Sequence, residues 1–189
     1  MRYPTDFLAP ELARRLRGNL GLLGLGLLAL ALGEPMRAHS DALVILAAPY
    51  GILSLQFACT TETARRILAT WDAVALNHAW LSLLWDCGFA PAYGVALAAL
   101  TERLGANATR HGGRSLPVLA WLPLWAAAAD LLENLFHFRL VLGAGNDGMT
   151  ILPTLACGFA SFKWALLTAW LAALIGLGLR AIANRTTRN

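Results

Sequence analysis

Asp130-Leu131-Leu132-Glu133-Asn134-Leu135-Phe136-His137 lies inside an apolar run from Leu116 to Leu142. The run is long enough for a membrane-crossing helix, which needs about 20 apolar residues. Asp130, Glu133, Asn134 and His137 recur at i, i+3, i+4 and i+7, so a helix places all four on one narrow face. Ionisable groups are costly in hydrocarbon, so in membrane helices they face a bundle interior or a wet cavity. This stretch therefore predicts a helical membrane fold with a polar centre.

The composition agrees. Of 189 residues, 58% are hydrophobic and only 14% charged, against about 25% charged in an average soluble domain. The formal net charge of +4 does not indicate a nucleic-acid partner. The basic residues flank apolar segments, where the orientation rule for membrane helices places them. Three cysteines, Cys59, Cys87 and Cys157, are too few and too scattered to read as a disulfide framework. Cys87 and Cys157 read as small buried hydrophobes, and the redox state of Cys59 is open.

Outward from the central stretch, four spans are expected, at about residues 16–33, 76–100, 116–142 and 151–179. Gly18, Gly21 and Gly24 give the first a small packing face. A secretory signal peptide is the competing reading there, because Ala38-His39-Ser40 resembles a small-x-small cleavage site. The polar region ahead of the apolar run is long for a signal peptide, and a retained helix is expected. Pro91 lies inside the second span and predicts a kink close to Asp86. Residues 101–115 read as a polar loop, and 143–150 as a tight turn rich in Gly, Asn and Asp. The whole chain reads as one transmembrane domain, with no internal repeat.

Residues 41–71 fit none of the spans. Pro49-Tyr50-Gly51 interrupts the apolar run from Asp41 to Cys59, and each half is too short to cross. A re-entrant or interfacial segment between helices 1 and 2 is expected, lying over the outer end of the bundle with Gln56 facing inward. Thr60 or Thr61 caps a short helix from about Glu62 to Trp71, with Ala64, Ile67, Leu68 and Trp71 on its apolar face. The fold class is thus all-α: an integral membrane four-helix bundle with one extra segment.

Arginines in the N-terminal arm, in the loop at 101–115 and in the tail place both termini in the cytoplasm. Asp86, Asp130 and Lys163 then lie at one depth, roughly 15–18 Å from the outer surface at 1.5 Å per helical residue. Ser82, Asp86, Ala90 and Tyr93 share one face of the second span; Ala126, Ala127 and Asp130 share one of the third; Ala160, Lys163 and Leu167 share one of the fourth. The candidate ligand-binding set is Asp86, Tyr93, Asp130, Glu133, Asn134, His137, Lys163 and Gln56.

Three acids and one certain base allow two readings of the cluster: a buried ion-pair network that fixes helix register, or a proton- or cation-binding site. A metal held by Glu133 and His137, with Asp130 and Asp86 adding oxygens, is weaker because only one His is present and no Cys lies beside it. No metal is assigned, and no cofactor is indicated. There is no P-loop, dinucleotide fingerprint, Gly-x-Ser-x-Gly or His-Glu-x-x-His. His39, His78 and His111 lie near helix ends or in loops and read as solvated or interfacial.

Several pieces carry a resemblance: Pro49-Tyr50-Gly51-Ile52 with Gln56-Phe57-Ala58, then Ala64 to Trp71, Asp86-Cys87-Gly88-Phe89 with Tyr93, Asp130 to Leu135, and Phe162-Lys163. In these the chain resembles a group of small bacterial four-helix integral membrane proteins without an assigned activity. The resemblance covers about residues 49–167, and Asp-x-x-Glu-Asn-Leu is its most specific part. It implies a four-helix membrane protein with no known activity and supplies no catalytic residue.

The expected function is therefore a small inner-membrane protein whose buried protonatable site binds or moves a small ligand, proton or cation. The alternatives are an intramembrane metal-dependent enzyme acting on a lipid, and an assembly or scaffold subunit. Membrane lipids are the expected partners, with a homo-oligomer or a larger membrane complex as further candidates.

Overall fold

The structure is a computed structural model that describes residues 2–110, 117–144 and 151–186. The described elements are helical, apart from one isolated bridge between Ile45 and Ala48. A short 3-10 turn, Pro4–Phe7, precedes α1 (Pro10–Arg17) and α2 (Asn19–Asp41). Two short helices follow, α3 (Ile52–Gln56) and α4 (Thr61–Leu68). The long helices α5 (Ala73–Arg110), α6 (Pro117–Leu142) and α7 (Leu152–Thr186) complete the chain.

Helices α2, α5, α6 and α7 are each long and apolar enough to cross a membrane. They pack in sequence order, α2 on α5, α5 on α6 and α6 on α7. The α5–α6 seam is close because both sides are small. A Cβ added at Gly94 would lie 2.7 Å from the Ala127 methyl, well inside van der Waals contact. No residue of α2 is fully buried, so it covers one flank of α5 and leaves most of its leucines facing outward.

Several boundaries differ from expectation. Helix α2 does not stop at Gly33. It continues through Pro35 to Asp41, where Arg37 bridges Glu34 at 2.8 Å and Asp41 at 2.6 Å across successive turns. Helix α5 also runs past the expected loop start at Thr101 to Arg110. The Glu, Arg, Leu and Ala residues after Thr101 are good helix formers. Residues 111–116, with Gly112 and Gly113, lie outside the described residues, as do 145–150 of the expected turn. Pro91 lies inside α5, as it lies inside the expected second span.

The N-terminal arm forms an amphipathic helix that the apolar pattern did not single out. Pro10 starts α1, and Glu11 holds Arg14 and Arg15 at 2.6 and 2.9 Å. Those two guanidiniums keep the exposed Glu11 carboxyl below its ordinary range.

Residues 42–72 form a cap over the end of the bundle where α5 begins, α6 ends and α7 begins. Leu43, Ala48, Ile52, Leu55, Ala64, Ile67, Leu68 and Trp71 pack on Ala79 and Leu83 of α5 and on Leu140 and Val141 of α6. Thr60 is the N-cap of α4, its side chain accepting from the Thr63 amide. Gly51 turns the chain with φ 58°, where a Cβ would lie 2.2 Å from the Ser40 carbonyl oxygen. A disulfide between Cys59 and Cys157, with Cα atoms 5.1 Å apart, ties the cap to α7. This corrects the reading of Cys157 as a plain buried hydrophobe. A spacing of 98 residues gives no hint of pairing until the cap folds back over the bundle.

Candidate functional site

Below the cap, α5, α6 and α7 bring their polar residues together because small neighbours let the helices approach. Ala90 on α5, Ala126, Ala127 and Ala129 on α6, and Ala160 on α7 are all buried beside the polar positions. Asp86, Asp130, Glu133, Asn134, His137 and Lys163 are buried as well.

Lys163 is the hub. Its Nζ donates to Asp130 Oδ1 at 2.7 Å and forms an ion pair with Glu133 Oε2 at 2.8 Å. Tyr93 OH donates to the other oxygen of Asp130 at 3.1 Å. Asn134 Nδ2 donates to Asp86 Oδ2 at 3.0 Å. The ammonium also sits 5.7 Å from the centroid of the Trp164 ring. Lys163 thus has two carboxylate partners, while Asp86 is bonded through a neutral amide and, among the described residues, has no cation in contact.

His137 lies one turn beyond Glu133, with Nδ1 3.7 Å from Glu133 Oε1, too long for a hydrogen bond. Its fully buried ring lies near the backbone of Leu55 without a hydrogen bond of good geometry at either nitrogen. Among the described residues, no three His, Cys, Asp or Glu side chains converge as metal ligands.

An elongated cavity of about 510 Å³ reaches this centre, within the 300–1,000 Å³ typical of small-molecule sites. Ser82, Asp86, Phe89, Tyr93 and Leu97 of α5 line one wall. Lys163, Trp164 and Leu167 of α7, Met36 of α2 and Asp130 of α6 line others. Gln56, Ile52 and Leu53 of α3 close the cap end, beside exposed Arg37, Asp41 and Tyr50. Gln56 is 4% exposed, and its Oε1 has no hydrogen-bond partner. From Ser82 to Leu97 the cavity follows α5 for about 22 Å at 1.5 Å per residue.

Of the eight sequence-predicted residues, Gln56, Asp86, Tyr93, Asp130 and Lys163 line the cavity. Glu133, Asn134 and His137 stand behind that wall. The sequence reading did not include Arg37, Asp41 and Tyr50 at the mouth, or Trp164 in the wall. The helical continuation from Gly33 to Asp41 was the available signal for the first two, since it carries them to the cap end.

A further buried carboxylate, outside the polar centre, was also missed. Glu102 accepts hydrogen bonds from the Thr5 amide and the Thr5 hydroxyl, and Arg17 Nε approaches it at 3.5 Å. It anchors the N-terminal segment to α5 and is not among the cavity-lining residues. His39 and His78, expected to be solvated or interfacial, face each other across α2 and α5 with Nδ1 atoms 2.9 Å apart.

No protein-family model, curated protein or solved structure matches the chain.

Proposed function

We propose that this chain is a small polytopic protein of the bacterial inner membrane, with both termini cytoplasmic. Its polar centre binds or moves a small ligand, proton or cation. The observation that carries the reading is the cavity itself. An architectural ion-pair network has no need of an open volume, yet here Asp86, Asp130 and Lys163 form part of a cavity wall. Gln56 adds a buried, unpartnered acceptor to the same wall, and such a group is costly unless something fills its place. The Cys59–Cys157 bridge lies at the cap end, which suits an oxidising outer compartment and the orientation read from the arginines.

A metal-dependent lipid-modifying enzyme would need a third ligand beside Glu133 and His137, and among the described residues none converges there. A scaffold role would leave the cavity without a purpose.

Native mass spectrometry of the whole chain from mild detergent tests the reading. A retained low-mass species is expected in the wild type and should be absent in Leu167→Trp, which fills the cavity. Reconstituted vesicles provide the proton arm, in which Asp86→Asn should change proton uptake. An unliganded spectrum, together with proton uptake identical in Asp86→Asn, would overturn the proposal.

A further inference from the structure

We infer that the cavity takes a single-chain amphiphile with a protonated amine head, admitted sideways between α2 and α7 and held at Asp86 and Gln56. This rests on the binding-site reading above and names its ligand class.

Charge sets the head group. Two cations, Arg37 and Lys163, stand against three lining carboxylates, Asp41, Asp86 and Asp130, with Glu34 and Glu133 directly behind. Both cations are already engaged. Arg37 bridges Glu34 and Asp41, and Lys163 is held by Asp130 and Glu133. An anionic head would therefore find no free cation in the wall among the described residues and would meet surplus acid. A cationic donor finds Asp86, which no cation contacts among the described residues, and the unpartnered Gln56 Oε1 of the same cavity lining. An ammonium has three donors and no acceptor, so it suits a wall of spare acceptors. A hydrogen bond between ionised partners is also roughly twice as strong as a neutral one.

Shape sets the tail. Phe89, Leu97 and Leu167 give the same channel an apolar lining beside its polar groups. The route of entry follows from the packing order. Helix α2 packs on α5 and α7 on α6, but α2 and α7 are not packed neighbours, although both contribute to the cavity wall. An amphiphile concentrated in a surrounding bilayer would enter along that side.

The test uses the whole chain in phosphatidylcholine nanodiscs. Dodecylamine, dodecanol and dodecanoate carrying a terminal bromine are titrated, and quenching of Trp164 is read as the difference from Trp164→Phe. Leu167→Trp, with the channel filled, reports non-specific partitioning. Saturable quenching by the amine is expected at a concentration roughly tenfold lower than for the alcohol, with no saturable signal from the carboxylate. Ethylamine, which has the head without the chain, should not compete. Asp86→Asn should bring the amine to the level of the alcohol, and Gln56→Leu should weaken the amine in the same direction should Asp86→Asn not fold.

Equal saturable binding of amine and alcohol would overturn the amine class while leaving a ligand site. Competition by ethylamine would overturn the amphiphile. An amine preference unchanged in both variants would overturn the assigned residues. Absence of saturable binding by all three chains would overturn this inference alone, because the retained species and the proton arm above test the site independently.

Discussion

Lys163 shows how one residue ties three helices. Its ammonium on α7 meets Asp130 and Glu133, one turn apart on α6, while Tyr93 of α5 donates to the far oxygen of Asp130. Removing one partner of a buried ion pair leaves an uncompensated charge and costs about 3–5 kcal/mol. Lys163→Met is expected to lower stability by an amount in that range, read as a loss of thermal midpoint in detergent. Double-mutant cycles separate the acids. Cycles with Asp130→Asn and Glu133→Gln should be non-additive, each recovering part of the loss, because each removes a carboxylate left behind. The cycle with Asp86→Asn should be close to additive, since Asn134 and not Lys163 holds that carboxylate. A neutral Lys163→Met with three additive cycles would remove the basis for a polar centre.

At the scale of elements, the cap determines the shape of the cavity. Short helices α3 and α4 could not fold alone, since isolated helices shorter than about 12 residues are marginal in water. They are held by the apolar cluster on α5 and α6 and by the disulfide to α7. Closing so long a loop covalently restricts the unfolded chain, and a typical disulfide contributes about 2–4 kcal/mol. Dithiothreitol should therefore lower the thermal midpoint of the oxidised protein. Cys59→Ser should start from the lowered value and show no response to reductant. An equal midpoint with and without reductant in the wild type would mean that packing alone holds the cap.

For the whole molecule, topology is the decisive measurement. If α2, α5, α6 and α7 each cross the membrane once, reporters fused at Asn189 and within residues 143–150 should report opposite faces. Single cysteines at Ser40 and Thr61, placed in a Cys-free background, should both label from the outer face. Opposite faces for that pair would mean that residues 41–59 cross the membrane, and the cap could not then lie over one end of the bundle.

Local sequence determined much of this protein. Four apolar runs, separated by polar or Gly- and Pro-rich segments, specify four long helices, because burying a backbone in an apolar environment requires internal hydrogen bonding. The i, i+3, i+4, i+7 spacing placed Asp130, Glu133, Asn134 and His137 on one face, and the Thr60-Thr61 pair marked the start of α4, for equally local reasons. Tertiary structure decided what these faces meet. Lys163 finds Asp130 and Glu133 rather than Asp86, Cys59 finds Cys157, Glu102 finds Thr5, and Gln56 closes a cavity on α5 and α7. Helix periodicity specifies the direction in which a side chain leaves its own helix, but carries no record of which neighbour stands there. That depends on how closely small residues such as Gly94 and Ala127 let two helices approach, and on where a folded cap comes to rest.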